Sequence, residues 1–197
     1  MKNTEISLQT KRDFSGALKQ LLKKEPLNKI TVRELLEVAN KTRPTFYYHF
    51  EDVQDLIKWT VQDEIIALLN ESKGYKKWDE DLYKVLTYFQ NNQLLGRAFY
   101  DSLDIYQFNL FFRKPQINVL LGYIDEIIKK YHLQVRADDR LFIAEMFTGG
   151  FTEIIFDWLG NGQKETPDEI RQRLCRTQQD IIVYSLKVAD KNKNLFC

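Results

Sequence analysis

Thr42-Arg43-Pro44-Thr45-Phe46-Tyr47-Tyr48-His49-Phe50 is the stretch from which the fold of this chain can be worked out. Thr42 is a residue type that often begins helices, and Pro44 suits the first helical turn, where its missing N–H is not needed. Phe46 and Phe50 lie four residues apart, so a helix places both on one face. The stretch therefore predicts a short helix that aromatic side chains anchor.

A second helix precedes it, separated by only a few residues. Thr31-Val32-Arg33-Glu34 has the spacing of a capping box, in which the first and last side chains each accept from the other's backbone N–H. Asn40 tolerates the left-handed conformation that ends helices, so Asn40-Lys41 can form a turn. Two short helices joined by a tight turn form a helix-turn-helix, whose second helix, here Pro44–His49, enters the major groove of DNA.

Amphipathic helices are predicted on both sides of this pair. Between about Thr10 and Lys24, and before Pro26 ends the pattern, apolar residues recur at helical spacing: Phe14, Ala17, Leu18, Leu21 and Leu22. A run from about 52 to 71 repeats the pattern with Leu56, Ile57, Val61, Ile65, Leu68 and Leu69. This run is long enough to join a head of residues 1–52 to a body of residues 53–197.

The body is predicted to be helical throughout. An acidic first turn or an early proline indicates four helix starts: Asp79-Glu80-Asp81, Pro115, Asp138-Asp139 and Thr166-Pro167-Asp168-Glu169. The aromatic stretch 94–112 is expected to hold one or two short helices. Gly160-Asn161-Gly162 ends the helix that begins at Asp138-Asp139, and the last helix is expected to reach about Ala189. Because no strand alternation is visible, the predicted fold class is all-α, with about nine helices.

Composition excludes several classes of protein. The 197 residues are 44% hydrophobic and 29% charged, which is typical of a globular protein. There is no apolar run of about 18 residues for a membrane span and no signal peptide, so a soluble cytoplasmic protein is expected. The net charge is +1, but residues 1–60 hold 11 Lys and Arg against 8 Asp and Glu, while residues 61–197 hold 18 against 20. A basic head on an acidic body has the sign expected of a DNA-binding protein.

Neither an enzymatic site nor a metal site is indicated. His49 and His132 have no cysteine or carboxylate at ligand spacing, and the two cysteines form no metal or disulfide pattern. We therefore expect no catalytic residue, no metal and no cofactor. Gly149-Gly150 lies in a helical pattern, where glycine costs about 1 kcal/mol relative to alanine, and lacks the Lys and Ser/Thr of a phosphate loop. Close approach by another helix or a ligand would explain the two glycines.

The order of these parts resembles the TetR family of transcriptional regulators. The specific part of the likeness is 30–56, where Ile-Thr-Val-Arg-Glu-Leu, Pro-Thr-Phe-Tyr-Tyr-His-Phe and Asp-Leu-Ile are similar to the family signature. In the body, Gly150-Phe151-Thr152-Glu153-Ile154-Ile155 and the segment 158–170 resemble a subgroup similar to the DhaS regulators of dihydroxyacetone kinase operons. The resemblance implies a helix-turn-helix head and a body that binds an effector and forms a dimer.

The resemblance also implies roles for individual residues. Thr31 would approach a phosphate and Arg33 a guanine edge, while Pro44 would contact a thymine methyl. The first residues of the recognition helix would meet base edges, and its tyrosines and histidine would lie against the DNA backbone and the groove wall. The implied DNA-binding residues are Thr31, Arg33, Thr42, Arg43, Pro44, Thr45, Tyr47, Tyr48 and His49.

Physical chemistry agrees with these roles. The guanidinium of Arg43 is a planar fork that can bond O6 and N7 of guanine together, and hydroxyl groups position a protein on phosphates without reading sequence. Phe46 and Phe50 are better explained as core residues that hold the short helix in place. Tyr47 and Tyr48 lie on other faces, where two adjacent tyrosines indicate contact with DNA.

The aromatic residues of the body are expected to be mainly core. Some of them are predicted to line an effector cavity, because pockets between helices are mostly apolar: Phe99, Tyr100, Tyr106, Phe147 and Phe151. The two last long helices, about 138–159 and 167–189, are assigned to a homodimer interface, partly from the resemblance and partly because one helix-turn-helix reads too few bases. The expected partners are a double-stranded DNA operator, a second copy and an unidentified small-molecule or protein effector.

An alternative function is a non-enzymatic helical adaptor with a weak DNA-binding head and a protein partner. Many TetR proteins carry Lys at the positions held here by Glu51 and Val53, so phosphate contacts near the linking helix are missing. Affinity for random duplex DNA distinguishes the two hypotheses, since a regulator loses affinity steeply with salt and an adaptor does not.

Overall fold

The computed structural model describes residues 2–70 and 78–190. In that part of the chain there are nine α-helices, one short 3-10 helix at Leu27–Lys29 and no strand, so the predicted all-α fold is confirmed. The α-helices are α1 Lys2–Leu22, α2 Val32–Ala39, α3 Arg43–His49, α4 Val53–Asn70, α5 Trp78–Asn91, α6 Gln93–Asp101, α7 Ile105–Tyr131, α8 Ala137–Gly160 and α9 Pro167–Val188. The predicted helix end near 71 and the cysteine at 197 lie outside the described residues.

Local capping sets several helix ends. Thr31 and Glu34 form the predicted capping box on α2, and Asn40 ends that helix with φ 50°. The two hydrogen bonds that Glu34 accepts from Thr31 lower the pKa of its carboxyl group. Thr166 and Glu169 form an equivalent box on α9. A helix start is stabilised this way because its first N–H groups have no partner within the helix.

An aromatic cluster holds the head together. Phe14 of α1 and Phe46 of α3 are both fully buried, and their rings meet edge to face with centroids 5.3 Å apart. Phe50, which follows α3, packs on Phe14 and on Trp59 of α4 at centroid distances of 6.2 and 5.8 Å. These contacts fix the seven-residue α3, which is too short to be stable alone.

Two of the predicted helix starts are corrected by the structure. Pro115 does not begin a helix but lies inside α7, which is continuous over 27 residues. The proline removes one backbone hydrogen bond, but buried residues on either side of it, Phe112 and Leu120, pack α7 against its neighbours. The first helix begins at Lys2 and not near Thr10. Its first turns show no apolar periodicity in the sequence because they pack little of their surface, and Ile6 is 63% exposed.

The body packs helix on helix around one core that continues into the head. α7 and α8 run side by side, and the Thr152 hydroxyl of α8 bonds to the Gln116 amide of α7 at 2.9 Å. Near the C-terminal end of α8, Trp158 donates its ring N–H to the backbone carbonyl of Glu165 at 2.9 Å. The predicted stop after α8 is confirmed, with Gly162 in the left-handed region at φ 76°.

Polar contacts join the head to the body along α4. Arg12 of α1 bonds to Asp63 with Nε and Oδ2 2.9 Å apart, and Lys19 of α1 pairs with Glu64. The hydroxyl of Tyr88 on α5 donates to the same Glu64 oxygen at 2.9 Å. Burial and the adjacent Glu64 carboxylate raise the pKa of Tyr88 well above its ordinary value, so this hydroxyl stays protonated and keeps donating. α4 is therefore held from both sides.

Within residues 2–70 and 78–190, every helix is too short or too polar to cross a membrane.

Candidate nucleic-acid interface

The recognition helix α3 has one face buried in the head and another exposed to solvent. Phe46 is fully buried and Phe50 is 3% exposed, as predicted for core residues. Arg43 and Pro44 are exposed at the start of α3, and Tyr48 is 81% exposed on the same helix. The Tyr48 ring touches that of His49, with centroids 4.9 Å apart, but most of its surface is left in water and is available to a partner.

Arg43 and Tyr47 contact each other on the surface of the head. The guanidinium lies over the Tyr47 ring, 5.8 Å from the ring centroid, and Tyr47 is 50% exposed. The ring limits the directions that the guanidinium can take, which lowers the entropy lost when it binds. Together they place a positive charge over an aromatic ring at the start of α3.

The hydroxyls of Thr42 and Thr45 bond to each other, with their Oγ1 atoms 2.8 Å apart. Thr42 occupies the N-cap position in an extended conformation, as predicted, but its side chain makes no hydrogen bond to the helix backbone. The first N–H groups of α3 are therefore not covered by a capping side chain, and such groups attract anions.

Thr31 and Arg33 are placed near the front of α2 but already have partners. The Thr31 hydroxyl donates to Glu34 at 2.7 Å and accepts from the Glu34 backbone N–H at 3.3 Å. Arg33 pairs with Glu37 at 2.9 Å, and both side chains are largely in solvent. An exposed pair contributes little to stability, so Arg33 can exchange it for another acceptor, whereas Thr31 serves primarily as a helix cap.

His49 lies half-buried at the end of α3. Burial and then the positive charge of Lys11 lower the pKa of its imidazole. The Lys11 ammonium lies over two aromatic rings, 5.5 Å from the Phe50 ring centroid and 5.3 Å from that of Trp59. His49 is consequently harder to protonate in the free protein than an imidazole in water.

Carboxylates surround the start of α4, close to the end of the recognition helix. Asp52 accepts from the backbone N–H of Asp55 at 2.7 Å, and Asp55 accepts from the N–H of Glu51 at 3.2 Å. Glu51 and Asp52 are exposed. These carboxylates accept from backbone N–H groups at the start of α4, and their negative charge would repel a phosphate there.

A cavity of about 140 Å³ lies in the body between α4, α5, α7 and α8. Its wall is mostly apolar and includes Ile65, Leu82, Val85, Phe112, Leu120 and Phe151. Four polar side chains, Gln62, Asp81, Gln116 and Thr148, also lie on it. These four polar residues were not predicted as cavity residues. The sequence pattern that could have indicated them is a threonine or a glutamine within an otherwise apolar helical stripe.

Of the five residues predicted for an effector cavity, the structure places only Phe151 on this wall. Phe99 is fully buried in an aromatic cluster, with its ring centroid 5.1 Å from that of Phe111. The Tyr100 ring packs at a tilt against that of Phe156, with centroids 4.5 Å apart, while Phe147 is buried elsewhere and Tyr106 is 69% exposed. Aromatic composition does not say which face of each helix meets this cavity, so the predicted residues and the lining of this cavity have one residue in common.

α8 and α9 each carry an exposed apolar stripe. On α8 the residues follow helical spacing around Gly149 and Gly150, both exposed, with Phe142 at 67% and Met146 at 51%. A Cβ at either glycine would meet nothing within 4 Å. On α9 the exposed apolar residues are Ile181, Tyr184 and Val188. The two glycines therefore leave an open groove beside apolar side chains.

The part of the chain that the structure describes contains no group of three or more His, Cys, Asp and Glu side chains able to hold a metal ion.

Comparison with known proteins agrees with this arrangement. A family model described as a transcriptional regulator C-terminal region matches residues 76–180. The HTH-type dhaKLM operon transcriptional activator DhaS of Lactococcus lactis subsp. lactis (strain IL1403) is 28% identical over 92 residues. This match covers 47% of the chain and 49% of the relative, so the chain spans about half the length of the curated relative it matches.

A solved structure of a dihydroxyacetone kinase operon activator DhaS superimposes with a TM-score of 0.69. The superposition covers 92% of this chain and 98% of that one at 20% sequence identity. At this identity the likeness shows that the two proteins share a fold.

Proposed function

Because this chain belongs to the TetR family of transcriptional regulators, we propose that it binds a palindromic operator in double-stranded DNA as a homodimer. Residues 1–52 form the DNA-binding head in this proposal, and residues 53–197 form the body that dimerises and binds an effector. The effector is a small molecule or a protein that changes the affinity for DNA.

The observation that carries the proposal is the division of α3 into a buried and a free face. Phe46 holds the helix in the head core, while Arg43, Pro44 and Tyr48 are left exposed to solvent. In the major groove, Arg43 reads a guanine, Pro44 packs on a thymine methyl and Tyr48 contacts the backbone. Thr45 and Tyr47 lie beside them, and Arg33 adds a second cation from α2.

The apolar stripes of α8 and α9 support a homodimer. Two copies of the two helices can pack as a four-helix interface that removes Phe142, Met146, Ile181 and Tyr184 from water. Gly149 and Gly150 leave room at the surface of α8, so the backbone of a partner helix can approach closely there. A two-fold dimer presents two copies of α3, which a palindromic site requires.

Effector control follows from linkage between the two sites. An effector that prefers a dimer with wrongly spaced recognition helices weakens DNA binding by the same factor by which DNA weakens effector binding. The spacing that one turn of DNA requires is about 34–36 Å. α4 is suited to transmit the change, since it lines the body cavity and is also ion-paired to α1 of the head.

Selection of bound sequences from a random duplex library tests the proposal. The expected result is an inverted repeat whose half-site centres lie about 10 base pairs, or a multiple of one turn, apart. A protein with Met146→Glu, which places a charge in the proposed interface, should select the half-site weakly and lose the repeat. Recovery of no preferred sequence by the wild-type protein at low salt would refute the proposal.

The affinity for DNA is expected to rise as pH falls from about 7.5 to 5.5. The pKa of His49 is lowered in the free protein, and a nearby phosphate would raise it, so binding takes up a proton. The stability of the free protein should fall over the same interval, because the unfolded chain takes up that proton more readily. Fluorescence anisotropy at several pH values measures the first effect, and His49→Gln should abolish it. An equal pH dependence in both proteins would remove His49 from the interface.

A further inference from the structure

The turn between α2 and α3 contains a lysine that is ion-paired with α1. The Lys41 ammonium lies 2.8 Å from Oδ2 of Asp13, and the two side chains are only 30% and 32% exposed. Gln9, one turn earlier in α1, donates to the other oxygen of the same carboxylate at 2.9 Å. These hydrogen bonds, that of Lys41 first, lower the pKa of Asp13, so the carboxyl group is charged at neutral pH.

Lys41 occupies a place in the helix end where an apolar side chain is common. Its backbone N–H bonds to the Leu36 carbonyl at 3.1 Å, directly after the left-handed Asn40. In helix ends of this type, the residue after the left-handed one frequently packs on apolar side chains of the last turn. A lysine there carries a charge that the turn does not neutralise. Asp13 neutralises it, so the turn is attached to α2 by its backbone and to α1 by a side chain.

The start of α3 has no buried side chain of its own. Between Leu35 and Phe46, every side chain is exposed or half-buried. Thr42, at the N-cap position, makes no side-chain hydrogen bond to the helix backbone. Phe46 therefore holds the middle of the helix, whereas Arg43 in the first turn lies only two positions after Lys41. The ion pair of Lys41 is the long-range side-chain contact nearest to that turn within the described residues.

We propose that Asp13 is a positioning residue for DNA recognition, which holds Lys41 and thereby fixes the first turn of α3, with Arg43, in the orientation that enters the groove. Phe14, next to Asp13 in α1, holds Phe46 with ring centroids 5.3 Å apart. Adjacent residues of α1 thus attach the start and the middle of α3. A single attachment would leave so short a helix free to pivot. The inference rests on the proposed function, because Arg43 is taken to read a base.

Asp13→Asn separates positioning from the opposite role, in which Asp13 keeps Lys41 away from the DNA. The substitution makes each head more positive and frees an ammonium for a phosphate, and both changes by themselves favour binding. If the pair positions α3, affinity for the selected operator should instead fall about 2- to 30-fold. An ion pair of this kind changes an equilibrium by about 1.4- to 5-fold, and the operator takes up two heads. Fluorescence anisotropy at fixed salt measures the affinity.

Two further variants test whether the effect belongs to the pair. Lys41→Met keeps the length of the side chain without its charge, and combining it with Asp13→Asn should weaken the complex little more than either change alone. The exchanged pair, Asp13→Lys with Lys41→Asp, has the net charge of the wild type and should recover most of the lost affinity. Circular dichroism at the temperature of measurement verifies that each variant keeps the helix content of the wild type.

Asp125→Asn is the matched control for charge. It removes one carboxylate from the body and breaks the pair of Asp125 with Arg140, whose closest atoms are 3.2 Å apart. The change in net charge equals that of Asp13→Asn, but the affected residue lies on α7, outside the head. Affinity for the operator should therefore not fall in this variant.

Amide hydrogen exchange in the absence of DNA keeps the inference separate from the proposed function. The Phe46 N–H bonds to the Thr42 carbonyl at 3.2 Å and so reports on the first turn of α3. Asp13→Asn should accelerate its exchange about 1.4- to 5-fold, and Asp125→Asn should not. If the wild type bound no DNA but Asp13→Asn still accelerated exchange, the proposed function would fail and the attachment of α3 would stand.

Three results would overturn the assignment of Asp13. The first is operator affinity in Asp13→Asn that is equal to or higher than that of the wild type, with higher affinity showing that the released Lys41 binds a phosphate. The second is an exchange rate of the Phe46 amide that does not change in Asp13→Asn. The third is an exchanged pair that folds but binds the operator as weakly as Lys41→Met.

Discussion

Phe46→Ala is expected to lower the free energy of unfolding of the head by about 3–5 kcal/mol, the usual cost of removing a buried aromatic ring. Phe46 is fully buried, and its ring contacts those of Phe14 and Phe50. Without it α3 loses its main attachment to α1, and a seven-residue helix cannot persist alone. Urea denaturation followed by circular dichroism at constant protein concentration measures the change.

Tyr48→Ala in the same helix is the matched control. Tyr48 is 81% exposed, so its removal should change stability by less than about 0.5 kcal/mol while weakening DNA binding. Phe46→Leu, which keeps much of the apolar volume, should recover part of the lost stability. If Phe46→Ala unfolded at the urea concentration of the wild type, the aromatic cluster would not be what holds the recognition helix.

Arg43→Ala is expected to reduce affinity for the selected operator by about 1–3 kcal/mol, or about 5- to 150-fold, and to relax preference at one base pair. The reason is that the exposed guanidinium, held over the Tyr47 ring, can bond two guanine acceptors at once. Binding to the operator and to single-base variants, measured by anisotropy at fixed salt, gives both quantities.

Arg43→Lys separates reading of a base from contact with a phosphate. Lysine keeps the positive charge but lacks the fork, so the dependence on salt should be retained while the base preference is reduced. Arg136→Ala, which removes a largely exposed arginine at the start of α8, should alter neither property. Wild-type base preference in Arg43→Ala would show that Arg43 does not read DNA.

The likeness to TetR regulators could be found from sequence because the head is built from short-range signals. The capping box of Thr31 and Glu34 and the left-handed Asn40 each act within four residues, and both are confirmed. The spacing of Phe46 and Phe50 then shows which face of α3 is buried. The family match over residues 76–180 confirms the membership that these residues predicted.

Other features of the fold could not be predicted from residues that lie close together in the chain. Pro115 predicts a helix start by local rules, but α7 passes through it because packing on both sides outweighs one lost hydrogen bond. In α8, Phe147 and Phe151 are equally apolar and both buried, and only Phe151 reaches the cavity. The rotation of each helix about its axis decides this difference, and that rotation is set by neighbouring helices.

The sequence by itself determined the helix-turn-helix and the all-α class, since capping, turn chemistry and apolar periodicity depend on residues at most a few positions apart. Only the tertiary structure decided where the cavity lies and that the buried hydroxyl of Thr148 has no partner among the described residues. It also decided that Gly149 and Gly150 border open space. A gap and an unpaired hydroxyl are properties of several helices packed together, so residues far apart in the chain must meet before either exists.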